Sequence, residues 1–347
     1  IDYSGCPHIL AEPQRTNLIP YSEDFSQWSP INSTILSDNT TSPDGTVNAD
    51  RITSTSTGDS AFVRNTQSTQ TVSTVYSYSC FVKKGTTDFV RLANRSLGNV
   101  SEASCWFDIQ NGVVGDVGSN VSSTEIESFG DGWYKCTVIG TTGGTISTQL
   151  TDIAAATSNG NTSATTGDYI YYWGAQLEVG SYGTSYIPNF GTALGVTRNQ
   201  DIFTRDGIGS LINSTEGVLF VEMAALSNDG TNKRISLSNG SNSYRIVISY
   251  STSNNIQIFI VGAPAGTFAP SKSIDITLNS KIAVSWSSTE ARFYVDGSPI
   301  LVTSGDFSYT ASTLSELKTS DGAGGSDFYG KVKQLQVYDT SLSDTQL

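Results

Sequence analysis

The chain has 347 residues, 37 % hydrophobic and only 15 % charged, with 33 glycines and a formal net charge of -13. That length suits two cores of ordinary size, and the Gly, Ser, Thr and Asn content suits short strands joined by tight turns. The negative charge excludes a nucleic-acid partner, which is held by Lys and Arg on phosphates, and no apolar run nears the ~20 residues of a membrane span.

In chain order, residues 1–16 show no periodicity and are interrupted by Pro7 and Pro13, so they read as an extended arm. No basic-then-apolar leader opens the chain, and the start at Ile1 without Met suggests residues ahead of it. Residues 17–189 form a first β module. Its strands are expected at Ala49–Thr53, Tyr76–Val82, Phe89–Ala93, Cys105–Ile109, Trp133–Ile139 and Tyr169–Trp173, where β-branched and aromatic residues alternate with others. Residues 140–167 read mainly as long loops, with Thr145 to Thr151 able to pair as one more strand.

Residues 190–213 read as an ordered connector, and limited proteolysis is expected there or in the 140–167 loops. Residues 214–347 form a second β module, with strands at Val218–Met223, Arg234–Ser238, Tyr244–Tyr250, Ile256–Val261, Lys281–Trp286, Arg292–Val295 and Lys331–Val337. Asp296-Gly297 signals a two-residue hairpin turn, because both central positions of a type I′ turn need positive φ. A shift of apolar phase between Val332 and Leu335 implies a β-bulge. Ser341 or Ser343 is placed to cap a final helical turn.

Cysteines at 6, 80, 105 and 136 form no CxxC pair, and the single His8 leaves almost no material for a Cys/His zinc site. Cys80, Cys105 and Cys136 lie in phase with apolar neighbours, which marks them as buried free thiols. With one His, in the arm, a Ser or Cys hydrolase lacks its base. Glu125-Ile126-Glu127 is the nearest match to the alternating acids of a glycanase strand, yet it falls in a polar turn-like stretch, so no catalytic residue is assigned.

Aromatic residues are the better lead, since planar rings stack on sugars. Trp106 and Trp133 lie out of phase with their core-facing neighbours and are expected to point outward, so Trp106, Trp133 and Lys135 are the candidate ligand-binding residues. Trp28, Trp173 and Trp286 read as core. Lys83, Lys84, Arg91 and Arg95 form a basic patch able to attract an anionic polysaccharide at short range, or simply a solvated strand face.

The segments EPQRTNLIPYSEDFSQW, SPDGTVNADRI, GDGWYKCTV and YYWGAQLEVGSYGTSYIP resemble a module of bacteriophage tail and virion proteins, and also a diverged jelly-roll carbohydrate-binding module. The end, DGAGGSDFYGKVKQLQVYDTSLSDTQL, resembles the closing strands of concanavalin A-like, laminin-G-like sandwiches. The resemblance implies an all-β protein of two tandem antiparallel β-sandwiches, a jelly roll and then a concanavalin A-like domain. It implies a non-enzymatic appendage at the virion surface, outside cells, that binds host-surface glycans, contacts other virion proteins and forms a homo-oligomer such as a trimer. The alternatives are an appendage of a secreted polysaccharide-degrading enzyme and a structural spacer. No cofactor is expected. A structural calcium is the one ion the resemblance raises, but the first module holds Ser26 and the Gly174-Ala175-Gln176 run where its relatives place acidic ligands. In the second module Asp321 and Asp327 are candidate calcium ligands, though turn formation explains them equally well.

Overall fold

The computed structural model describes residues 8–66, 70–95, 103–145, 149–252 and 254–342. Among the described residues all regular structure is β apart from one 3-10 turn at Phe25–Gln27, and no helix is long and apolar enough to cross a membrane. The chain divides into two compact units, residues 14–199 and residues 1–13 with 200–347.

The first unit is a sandwich of two six-stranded antiparallel sheets. One sheet runs in the order Val113–Val117, Ala103–Asp108, Phe89–Asn94, Thr151–Ala156, Ala61–Asn65, Ser29–Ile31. The other runs Ser123–Ser128, Trp133–Thr141, Val75–Lys84, Tyr169–Val179, Val47–Ser54, Ser33–Thr41. Alternation decides what fills the space between them: Tyr76, Tyr78, Cys80 and Val82 point inward from one strand and Cys136 and Val138 from its neighbour, against Val90, Leu92, Phe107 and Ile153 of the facing sheet.

The second unit has a six-stranded sheet ordered Ile9–Ala11, Gly330–Tyr338, Gly217–Ala225, Ser280–Trp286, Glu290–Val295, Ser298–Ser304. A second sheet is built from Thr204–Arg205, Glu316–Lys318, Lys233–Ser238, Arg245–Tyr250, Asn255–Ala263 and Gly266–Phe268, with Ser271–Ser273 also paired to Asn255–Ala263. Its core is rich in isoleucine and closed by Trp286, Phe293 and Phe328. Asp296 and Gly297 take φ of 50° and 74°, as the hairpin signal requires. The register of Gly330–Tyr338 against Gly217–Ala225 jumps from Gln334 to Val332, so Lys333 is the extra residue of a bulge.

Several expectations need correction. The arm is not free chain: Ile9–Ala11 is an edge strand of the second sandwich, whereas Arg15–Asn17 pairs with Val196–Arg198 in the first unit. A strand within 140–167 lies at Thr151–Ala156 and is central to its sheet, whereas the expected pairing at Thr145–Thr151 falls partly on residues outside the described ones. The strand's Asp-Ile-Ala-Ala-Ala sequence escapes notice because every residue is buried and three of the five are alanine, so no sustained polar-apolar alternation is written into it. Residues 146–148 and the proposed cap Ser343 lie outside the described residues, and Ser341 is in no helix. Glu125 and Glu127 are not in a turn but on the edge strand Ser123–Ser128, both exposed, with Ile126 between them turned to the core.

Cys80, Cys105 and Cys136 are free and buried, Cys80 directly opposite Cys136 across a strand pair; Cys6 lies outside the described residues. Burial pushes all three thiols up, Cys105 to about 12. Iodoacetamide at pH 8 should therefore leave these three unmodified in the native protein and alkylate all of them, without reductant, in denaturant. Peptide mass mapping reads this out, and a Cys80–Cys136 peptide linked by a disulfide would overturn it.

Candidate functional site

The three residues singled out from the sequence are not brought together. Trp133 and Lys135 do point away from the space between the sheets, as their phase requires, but they are not accessible. Trp133 is 2 % and Lys135 8 % exposed. A second apolar cluster of Phe81, Trp133, Trp173 and Ala49, with Tyr171, Tyr186 and Phe129 against it, covers that outer face. The Lys135 ammonium donates to the Thr184 carbonyl at 2.5 Å and lies 6.0 Å from the Phe81 ring centre. Trp106 belongs to the other sheet. It is half-buried, donates through Nε1 to the Asn161 carbonyl, and carries the Arg91 guanidinium 5.4 Å over its ring.

What covers the outer face is the chain after the Tyr169–Val179 strand, which folds back across it. Asn17 holds that return with all its hydrogen-bonding capacity: Nδ2 donates to the Ala175 and Ile187 carbonyls, and Oδ1 accepts from the Ile19 and Leu177 amides. Gln176 accepts from the Ile187 amide and donates to Glu178, whose carboxylate also accepts the amide and hydroxyl of Thr184. Asn189 and Ser22 close the arrangement with reciprocal bonds. The consequence is that Tyr21 and Phe190 are delivered to the same place. A Cβ on Gly191, itself at φ +120°, would fall 2.8 Å from the Tyr21 ring, so glycine is needed for that approach.

Tyr21 and Phe190 border an open cavity of about 470 Å³ whose other walls are Glu23, Asp24, Ser26, Ser37, Asp38, Asn48 and Asp50. Phe190 is 75 % exposed. Asp24 caps the 3-10 turn by accepting from the Ser26 amide, and Asp50, 1 % exposed, accepts from the amides of Phe25 and Asp38. Glu23 accepts from the Tyr186 hydroxyl and from Asn48 Nδ2, both at 3.0 Å. Tyr21 and Asp38 adopt left-handed φ of 54° and 53°, a conformation uncommon for residues with a side chain and held here by the surrounding bonds.

Two of the four carboxyl groups around the cavity, Asp50 and Glu23, hold their protons more tightly than usual. Burial pushes Asp50 up to about 6, with the charges of Asp24 and Asp38 adding to it against the two amide bonds. Burial and the Asp44 charge also raise Glu23. Among the described residues no group of three His, Cys, Asp or Glu side chains could hold a metal ion. In the second sandwich Asp321 accepts from the Ala323 and Gly325 amides and pairs with Arg234 at 3.4 Å, and Asp327 meets Gln200 and Tyr329, so the two acids serve separate contacts. The basic patch is also divided. Lys83 and Lys84 lie on the sheet opposite Arg91, and Arg95 pairs with Asp152, which also binds Arg64 through two bonds. No sequence signal marks the cavity, because Glu23, Asp38, Asp50 and Phe190 gather only through the strand bulge near Asp38 and the returning chain.

One comparison with known proteins falls on the second sandwich. Residues 220–347 match the model of the concanavalin A-like lectin/glucanases superfamily. No curated protein sequence matches the chain. Among solved structures, the CBM40 of the Ruminococcus gnavus IT-sialidase bound to α2,3-sialyllactose is 12 % identical, covering 40 % of this chain and 83 % of its own, with a TM-score of 0.35. The leech intramolecular trans-sialidase is 15 % identical over 40 % of this chain and 23 % of its own, at 0.34. The Limulus polyphemus SAP-like pentraxin is 15 % identical over 38 % and 68 %, at 0.31.

Asp50 gives the cavity a pH signature. Its folded-state value near 6 lies above the usual 3.8, so between those values the folded chain holds a proton that the unfolded chain has released. The stability this group contributes is complete below about pH 4 and is lost as pH rises through about 6. Asp50→Asn carries no such titration. Thermal unfolding at a series of pH values should show wild type losing ground to the variant between about pH 4 and pH 7; a constant difference would mean that the carboxyl is not raised.

Proposed function

We propose that the chain is a glycan-binding protein that acts without turnover, and that its first sandwich holds the sugar in the cavity beside Phe190. The observation that carries this reading is a ring 75 % exposed at the edge of a cavity walled by carboxylates, an amide and hydroxyls. A pyranose has the matching surface, with an apolar C–H face for the ring and a rim of hydroxyl donors for the oxygens. The walls also select. Glu23, Asp24, Asp38 and Asp50 repel an acidic sugar and favour neutral or amine-bearing ones, whose O–H or N–H groups donate to carboxylate.

Two features favour binding over hydrolysis. Asp50 is buried with both oxygens engaged by backbone amides, so it cannot reach a glycosidic oxygen, and both oxygens of Glu23 accept from neighbouring side chains. Glu125 and Glu127 are exposed on an edge strand and border neither cavity described in this protein.

Of the two settings for such a protein, we favour an appendage of a secreted polysaccharide-degrading protein over a virion fibre. The lectin/glucanase match over residues 220–347 supports the first by analogy of fold, whereas the fibre rests on motif resemblance alone. A trimer in sedimentation would favour the fibre.

A single stacked sugar contributes near -4 kcal/mol, which is millimolar, so adhesion needs several copies. Titration calorimetry with chitosan, cellulose and polygalacturonate oligosaccharides should give binding to the first or second and none to the third. Phe190→Ala should weaken it about tenfold, or about 1.4 kcal/mol, while Trp106→Ala leaves it unchanged. Loss in Trp106→Ala with retention in Phe190→Ala would move the site to the other sheet, and absence of binding to any oligosaccharide would defeat the proposal.

A further inference from the structure

We infer that the second sandwich carries a separate site for a soluble long-chain amphiphile with one anionic head, such as a fatty carboxylate. The inference is independent of the glycan reading. It starts from a wedge between the edges of the two sheets. Ile9–Ala11 is the outermost strand of one sheet and Thr204–Arg205 of the other. The two segments are joined at one end, where the Glu12 amide donates to the Asp201 carboxylate and the Asp201 amide to the Glu12 carbonyl, both at 2.9 Å. Residues of both segments line a cavity of about 490 Å³, within the range that takes small ligands.

The lining is what a ligand with an apolar body requires. Leu317, Val332 and Leu335 form part of the wall, and the exposed Ile9, Ile202 and Phe203, at 52 %, 65 % and 40 %, converge on the same space. Large apolar side chains exposed singly are ordinary, but three sharing one concave surface mark a binding surface. An apolar ligand covering them would gain about 25 cal/mol for each Å² removed from water.

Charge then narrows the ligand. Three cations line the cavity: Lys318, Lys333 and Arg205. Lys318 pairs with Glu316 at 2.5 Å and Lys333 with Glu222 at 3.1 Å, so both are neutralised. Arg205 is exposed and has no ion-pair partner among the described residues. One uncompensated guanidinium beside an apolar cavity fits one carboxylate or sulfate at the end of an alkyl body. A peptide strand is disfavoured because the two edges are only two and three residues long, which leaves few backbone groups to pair. An anionic bilayer is disfavoured by a net charge of -13 and by a concave rather than protruding surface.

Titration of the full chain with dodecanoate, dodecyltrimethylammonium and butyrate, below micelle formation and in the absence of glycan, tests the inference. Dodecanoate should bind one to one, butyrate not at all, and the dodecyl cation at least fivefold more weakly. Arg205→Gln should weaken dodecanoate about fivefold, the range of a rim ion pair, and leave the cation unaffected. Ile202→Asp, at a position 65 % exposed and so tolerant of a charge, should abolish binding while circular dichroism stays that of the wild type. The inference is overturned if dodecanoate does not bind, if both variants bind it as the wild type does, if the cation binds equally, or if phosphatidylserine vesicles are bound in preference to free dodecanoate.

Discussion

The first sandwich depends on a small buried polar network, centred on Asn17, that fixes how the chain leaves its last strand. Asn17, Gln176, Glu178 and Asn189 are each no more than 1 % exposed. An unpaired polar group at such depth costs about 1–3 kcal/mol, so the arrangement is tolerable only when nearly every donor and acceptor is matched. Asn17 meets that condition with two donations and two acceptances. Because three of the four partners are backbone groups of residues 175–187, the network specifies one path for the return, where apolar packing alone would accept several.

That path has two effects. It lays Tyr186 on Trp173, with ring centres 4.6 Å apart, so that a sheet face which would otherwise be exposed becomes a second apolar layer. It also brings Ser22 against Asn189 and sets Phe190 beside Tyr21. The cavity is therefore a by-product of covering the sheet. Two of its carboxylates are structural: Asp24 caps a turn, and the buried Asp50 ties that turn to the strand bulge at Asp38, which places negative charge where backbone amides need an acceptor.

How much of this could be read from the sequence follows from what alternation encodes. Strands such as Tyr76–Val82 and Ile256–Val261 were legible because β-branched and aromatic residues recur with period two, and the Val332–Leu335 phase shift disclosed its bulge. Thr151–Ala156 was not, since a strand covered on both faces by neighbours has no polar side to betray it. Parity also assigned Trp133 and Lys135 correctly to the outer face but could not say that residues 182–187 lie over them. Trp106 obeys the same parity and stays partly open because a guanidinium rather than a chain segment covers it. Ile9–Ala11 looked like loose chain because its partner strand lies some 320 residues away, at Gly330–Tyr338. The cavity residues gave no sign for the same reason: Glu23, Asp38, Asp50 and Phe190 lie far apart in sequence, and each alone is an ordinary turn or surface residue.

Net charge is a poor guide to either cavity. A value of -13 spread over the chain acts on approach, and at physiological salt it fades beyond about 8 Å. Within that distance the local count governs. The cavity beside Phe190 has four carboxyl groups and no cation in its walls, a local excess of negative charge sharper than that of the chain as a whole. The wedge in the second sandwich has two cations cancelled by Glu316 and Glu222 and one, Arg205, left over, so its unpaired charge is positive on a molecule that is otherwise acidic. The two concave surfaces of one polypeptide thus carry unpaired charge of opposite sign, and the distinction is made by which side chains find a partner rather than by composition.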